Sequence, residues 1–211
     1  MDLQQQILAP HEIDAASYRC QHLVIGTGAG GAVAGALLAE AGGDVILLED
    51  GLHYGTDDYT DRIGEMTAAL YREGGISPLL GAPPIGFAEG RCVGGSTVIN
   101  GGLIWRTPPW LLEEWTRDQG LEGYDADSLR PHFETIEADL NVVRREPEQD
   151  ANLDSMVIGR GADALGWKRV MIPHAVKDCT NRNLCPTGCP TGAKQSMLET
   201  YVPRSLRAGA R

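Results

Sequence analysis

The segment at residues 23–49 constrains this chain more than any other. A short apolar run, Leu23-Val24-Ile25, leads into Gly26-Thr27-Gly28-Ala29-Gly30-Gly31. An Ala- and Leu-rich stretch continues to Ala41, Gly42-Gly43 ends it, and Val45-Ile46-Leu47-Leu48 is a second apolar run. Strand, helix and strand at this spacing form a βαβ unit, whose two strands must be parallel. The loop fits G-x-G-x-x-G. Gly26 permits the sharp turn out of the strand, Gly28 lets a pyrophosphate approach the backbone, and Gly31 lets the helix pack close to the strand. The helix start at Ala29 and Gly30 faces the phosphates with free N–H groups and a partial positive charge. Glu49 ends the second strand, placed to accept hydrogen bonds from a ribose diol. The pattern predicts a dinucleotide site and does not choose between FAD and NAD. Glycine supplies 27 of 211 residues, roughly twice its usual share, so the loop gains its meaning from the flanking strands and the acid.

Charge narrows the partners. The net charge is −11 and no basic stripe is present, which argues against a nucleic-acid partner. An anionic ligand therefore needs local help from backbone amides and helix N-termini. No apolar run approaches the roughly 20 residues of a membrane span. Residues 1–18 lack the basic start and apolar middle of a secretory signal, so the expected location is cytoplasmic.

Along the rest of the chain, helices are expected at 60–72, 109–119, 127–140, 152–165 and 198–208, and a strand at 168–172. Leu129, Phe133, Ile136 and Leu140 mark an apolar stripe at i, i+4, i+7 and i+11. Residues 81–102 are apolar and Gly-rich with little helical period. The last helix runs into Gly209, the usual entrance to another strand, so the fold reads as unfinished at Arg211.

The second informative segment is Gly90-Arg91-Cys92-Val93-Gly94-Gly95-Ser96-Thr97-Val98-Ile99-Asn100-Gly101-Gly102. A nicotinamide-binding domain does not need a second Gly-rich backbone segment. A long flavin dinucleotide does, because its phosphates and ring span more protein, and this points to FAD. Over residues 24–35, 46–51 and 90–108, then Trp115 and the acidic helix after it, the chain closely resembles the glucose-methanol-choline (GMC) oxidoreductases. The resemblance implies an α/β, Rossmann-like FAD-binding domain over 22–211. That domain is incomplete, with its C-terminal strands and substrate domain missing, behind a leader at 1–21. It further implies that Ser96, Asn100 and Gly101 contact the FAD pyrophosphate or ring edge. Gly94 and Gly95 let the backbone pass close to the flavin, Arg91 belongs to the same cofactor-binding segment, and Leu103 and Ile104 lie near the ring.

The chemistry implied by the family is oxidation of a CH–OH group in an alcohol or sugar. A base takes the hydroxyl proton while hydride goes to the flavin. The family's base is a histidine in the C-terminal half. None of His11, His22, His53, His132 and His174 sits in a matching motif, so all five read as structural or solvated and the base is expected to be missing. A fragment or a truncated gene, catalytically inactive although it holds FAD, is the alternative. The loop at 178–194 carries Cys179-x5-Cys185-x3-Cys189-Pro190, followed by Thr191-Gly192-Ala193-Lys194. It resembles the loop of long-chain alcohol oxidase-like members and of sugar and gluconate dehydrogenase subunits. Some of the latter hold an iron–sulfur cluster that relays electrons to an acceptor protein. Cys179, Cys185 and Cys189 are thus candidate cluster ligands, with buried thiols as the other reading, and Cys20 and Cys92 read as buried packing.

Overall fold

The computed structural model describes residues 6–13, 17–144 and 153–211. Its strands and helices run β1 (His22–Ile25), α1 (Ala29–Glu40), β2 (Val45–Leu48), α2 (Ile63–Leu70), β3 (Tyr71–Leu79), β4 (Ile85–Gly90), α3 (Ser96–Ile99), α4 (Pro109–Gln119), α5 (Ala126–Asp139), β5 (Val142–Val143), α6 (Leu153–Ala164), β6 (His174–Ala175) and α7 (Tyr201–Arg207). Single 3-10 turns lie at Pro10–Glu12, Thr56–Asp58 and Cys185–Thr187. Two units emerge: Met1–Gly102 with Lys177–Arg211, and Leu103–Val176. Of the expected leader, residues 1–5 and 14–16 lie outside the described residues, and so does Asn152 at the expected start of α6.

The βαβ unit forms as its residues require. β1 and β2 pair in parallel, His22 opposite Val45 and Ile25 opposite Leu48. Alanines and leucines favour the helix of α1 against its three glycines, and small residues line the side it buries: Ala32, Gly35, Ala36 and Ala39. The approach is close. A Cβ on Gly31 would lie 2.0 Å from the Gly26 carbonyl oxygen, and one on Gly35 would lie 2.8 Å from Leu47 Cδ2. Gly42, at φ +85°, turns the chain out of α1 in the left-handed conformation that closes many helices.

α7 packs on α1. Arg204 grips Glu40 through both carboxylate oxygens, at 2.5 and 2.8 Å. Ala39, Val45 and Ala210 form a small buried cluster, with Val24, Leu38, Leu47 and Ala208 packed around it. Past Gly209, the Arg211 N–H donates to Val45 O at 3.0 Å, and the Leu47 N–H donates to Arg211 O at 2.8 Å. Those are the bonds of a parallel ladder on the free edge of β2. The helix–Gly pattern does lead into strand-like pairing.

In the same unit, two expectations change. The helix expected at 60–72 ends at Leu70, and the chain passes directly into β3. Part of the Gly-rich stretch is β4, paired antiparallel with β3, Tyr71 opposite Gly90 and Leu79 opposite Ile85. The register shifts between Tyr71 and Ile76, where Glu73 and Gly74 take positive φ of 54° and 67°. That bulge, with the glycines and prolines around it, erases the alternation by which a strand is read. Cys20 is half-exposed, not buried as expected, because it precedes β1 instead of lying in it, whereas Cys92 is fully buried.

The second unit is mostly helical. α4 starts on Pro109 and stops at Gly120, which is left-handed at φ +66°. Asp125 caps α5 by accepting from the N–H groups of Asp127 and Ser128, each at 3.0 Å. Leu129, Phe133 and Ile136 are half-buried and Leu140 is buried, so the stripe faces inward as its spacing predicts. The strand expected at 168–172 does not form. Arg169 folds back onto Asp163 at the end of α6, at 2.8 and 2.9 Å, and the short β6 pairs with β5 instead.

The close packing of α1 is testable by urea unfolding. Gly31→Ala is expected to lower stability by about 3 kcal/mol or more, because its Cβ meets backbone and not a flexible side chain. Gly64→Ala on α2 meets nothing within 4 Å, and it is expected to be neutral or stabilising by up to about 1 kcal/mol. A Gly31→Ala protein as stable as its parent contradicts the packing described.

Candidate functional site

The turn after β1 is shaped to face an anion. Gly26 takes φ +90° and donates its N–H to Leu48 O at 2.7 Å. Gly28 caps α1 with no side-chain hydrogen bond, and the first turn contains no acidic residue. In a chain of charge −11, that leaves the N–H groups and partial positive charge of the helix start uncompensated. A Cβ on Gly28 or Gly30 would meet nothing within 4 Å, and Ala29 and Gly30 are exposed.

Thr27 joins this turn to everything around it. Its side chain is buried, at 4% exposure. Its hydroxyl donates to Glu49 Oε2 at 2.6 Å and accepts the Gly94 N–H at 2.9 Å. Its own N–H also reaches Glu49 Oε2, at 2.9 Å, and the Gly51 N–H reaches Glu49 Oε1 at 3.0 Å. A carboxylate has about four acceptor positions, so Glu49 is held by three donors and keeps one position on Oε1.

The second Gly-rich segment arrives through backbone-to-backbone contacts. A Cβ on Gly51 would lie 2.2 Å from the Arg91 carbonyl carbon, and one on Gly90 would lie 2.6 Å from the Gly95 carbonyl carbon. Leu52 bridges to Cys92, and the Val93 N–H donates to Leu52 O at 3.0 Å. Gly94 and Gly95 both take positive φ, at 94° and 57°. A Cβ on Gly95 would lie 2.9 Å from Gly28 Cα. The two Gly-rich segments therefore touch at Gly28 and Gly95, with Glu49 behind them.

Most of the residues read from sequence gather here. Ser96, which follows Gly95, is exposed, and so are Asn100 and Gly101 further along the segment. Ser96 Oγ accepts the Gly90 N–H at 3.0 Å, and Asn100 Oδ1 accepts the Gly102 N–H at 3.0 Å. Arg91 is committed to Asp50 through two bonds of 3.0 and 3.2 Å, and Arg72 adds a third at 2.9 Å. The Arg91 and Arg72 guanidiniums hold the Asp50 carboxyl below the usual carboxylate range. Leu103 and Ile104 belong to the second unit, where Leu103 bridges to His174 and the Ile104 N–H donates to Pro173 O.

Sequence reasoning assigns no role to two residues of the site. Thr27 occupies a variable position of G-x-G-x-x-G. Lys194 ends the Gly-Ala-Lys run of the cysteine loop, which is read for its thiols; it is 3% exposed, and its ammonium donates to the carbonyls of Val98, Asn100 (2.8 Å) and Cys185 (2.6 Å). Burial draws its pKa down to about 8. The resemblance of the loop ending in Thr191-Gly192-Ala193-Lys194 marks the stretch but not what the lysine binds.

Cys179, Cys185 and Cys189 line one small pocket in the loop they share. No group of three or more His, Cys, Asp or Glu among the described residues is arranged to hold a metal ion. This arrangement gives no support to an iron–sulfur cluster in the loop. Burial raises the Cys185 thiol. At Cys189 burial also acts upward, but hydrogen bonds from Thr191 and from the Lys194 N–H outweigh it and hold the thiol below its usual value. His11, His22 and His132 are exposed, and burial lowers the half-buried His53. His174 points Nδ1 at Ile172 O, 2.8 Å away. Among the described residues no helix is long and apolar enough to cross a membrane.

Comparison with known proteins gives a consistent set of likenesses. Residues 67–211 match the family described as GMC oxidoreductase. An uncharacterized GMC-type oxidoreductase of Sinorhizobium fredii is 37% identical over 90% of this chain and 37% of its own length. A long-chain-alcohol oxidase of Arabidopsis thaliana is 28% identical over 91% of this chain and 25% of its own length. The chain thus spans well under half the length of either relative. Among solved structures, pyridoxine 4-oxidase from Mesorbium loti superposes with a TM-score of 0.61 at 17% identity, over 87% of this chain and 39% of the enzyme. A fungal aryl-alcohol oxidase superposes at 0.54 with 16% identity, over 84% of this chain and 35% of its own. These two likenesses establish the fold.

The site's internal bonding yields two checks. Thr27→Val removes the hydroxyl that Glu49 and Gly94 share, leaving a buried N–H without its partner. It is expected to cost about 2 kcal/mol in urea unfolding, and a neutral result contradicts the link. Burial, with the Glu49 charge adding to it, pushes the Cys92 thiol up to about 12. In the folded protein at about pH 8, Cys92 is expected to stay protonated and unalkylated while the half-exposed Cys20 reacts. Peptide mass spectrometry after iodoacetamide treatment reads this directly, and equal labelling of the two contradicts it.

Proposed function

This chain belongs to the GMC oxidoreductase family, and from that premise we propose that it builds the FAD-holding part of an enzyme oxidising the CH–OH group of an alcohol or sugar. GMC oxidoreductases are FAD-dependent flavoproteins with a Rossmann-type domain. The observation that carries the proposal is the contact between the two Gly-rich backbones at Gly28 and Gly95. A nicotinamide dinucleotide needs only the first of them.

The residues present fit the cofactor. Gly28 and Gly30 leave open space where any larger residue would stand, over a helix start free of caps and acids. On this reading the N–H groups of Gly28, Ala29, Gly30 and Gly31 bind the pyrophosphate. Glu49 offers its remaining acceptor position to the adenosine ribose. Ser96, Asn100 and Gly101 meet the flavin side, with Gly94 and Gly95 allowing the backbone past. Arg91 acts from behind by fixing Asp50 just past the end of β2. When bound, the flavin supplies the acceptor for hydride from the substrate carbon. The chain's own residues bind and orient, and none of the five histidines is assigned as the base that takes the hydroxyl proton. The neighbours' names, long-chain-alcohol and pyridoxine oxidase, support an alcohol as substrate.

Purified protein is expected to show flavin absorption and to release FAD on denaturation. Gly28→Val places a side chain where this fold has room. Its urea-unfolding stability is expected to fall by only about 1 kcal/mol, the cost of losing a favoured cap residue, while FAD affinity falls about tenfold or more. Loss of stability without loss of affinity contradicts the assignment of Gly28. FAD binding without alcohol-dependent reduction of a dye keeps the cofactor role and refutes oxidation by this chain on its own.

A further inference from the structure

Lys194 is the one charged side chain among the described residues that is buried. Its ammonium has three protons and three carbonyl partners, on Val98, Asn100 and Cys185. No donor is left for a ligand, so the side chain acts on other parts of the protein. Two of its three partners lie at the end of α3, where helix carbonyls have no partner within the helix. An unpaired buried carbonyl is costly, and a cation meets that need with charge-assisted bonds.

The surrounding bonds pull the same way. Thr97 Oγ1 donates to Gly94 O at 2.6 Å and accepts the Met197 N–H at 2.9 Å. Residues 194–197 therefore fasten residues 94–100 at several points, through main-chain carbonyls and one hydroxyl. These fastenings reach main-chain carbonyls and the half-buried Thr97 hydroxyl, next to the buried Val98 and Ile99. Ser96, Asn100 and Gly101 themselves stay exposed.

We infer that Lys194 is a positioning residue, which sets the place of the segment from Ser96 to Gly101 against the flavin end of FAD without touching the cofactor. The inference rests on the FAD reading above and goes further, because it assigns the Gly-Ala-Lys run a task at the cofactor instead of at a metal.

The test compares two variants of the same protein by titrating FAD into the apoprotein and by visible circular dichroism of the bound flavin. Lys194→Met keeps the length of the side chain and removes its donors. It is expected to weaken FAD binding about tenfold or more, and to change the dichroism of the flavin that still binds. Arg204→Gln removes a bond between α7 and α1, away from this segment. It is expected to lower the melting temperature while leaving FAD affinity within about twofold of the parent. If Lys194→Met does not fold, Lys194→Gln, which retains a short donor, gives the same readouts with the same expectation. A folded variant at Lys194 with parental affinity and dichroism overturns the inference and leaves the FAD reading standing. A parent protein that binds no FAD overturns both.

Discussion

The hydroxyl of Thr27 ties together two stretches of chain that lie far apart in the sequence. It donates to Glu49 at the end of β2 and accepts from Gly94 at the head of the second Gly-rich segment. The three groups are buried or half-buried, so each needs a partner, and each finds it in another. From that junction the glycines follow. Gly31, Gly51, Gly90 and Gly95 stand where backbone crosses backbone at distances no Cβ tolerates. The high glycine content of this chain is thus the mark of a site built from main chain. Main-chain N–H groups are also what an anionic ligand needs from a protein of net charge −11.

Much of this was legible because the rules concerned are local. The run of Leu23-Val24-Ile25, the spaced glycines and Glu49 at the end of the next apolar run each answer to a short-range geometric need, and the βαβ unit has the parallel register they require. The stripe through Leu129, Phe133, Ile136 and Leu140 was legible for the same reason, since a helix repeats its faces. Where the outcome depended on non-local pairing, the sequence was silent. The bulge at Glu73 and Gly74 broke the alternation of β3, so a hairpin looked like a loop. Residues 168–172 looked like a strand, but a single ion pair from Arg169 to Asp163 draws that stretch to the end of α6. Lys194 was hidden most deeply, because its partners Val98 and Asn100 lie 96 and 94 positions away in the chain.

The cysteine loop contributes something besides its thiols. Three thiols over a short Pro- and Gly-rich stretch suggest a metal; they line one small pocket, and no metal-holding group of His, Cys, Asp or Glu is found among the described residues. What the loop does contribute is the Cys185 carbonyl, one of three that receive the Lys194 ammonium. Seen from the site, the loop is the outer anchor of a brace whose inner end is the segment from Ser96 to Gly101.

The central claim is that both Gly-rich segments hold one FAD together. Amide hydrogen exchange, followed by mass spectrometry with and without added FAD, tests it most directly. The account predicts that FAD slows exchange in peptides covering residues 26–31 and, at the same FAD concentration, in peptides covering residues 94–102. Protection confined to the first segment, with the second exchanging as in the free protein, would contradict it.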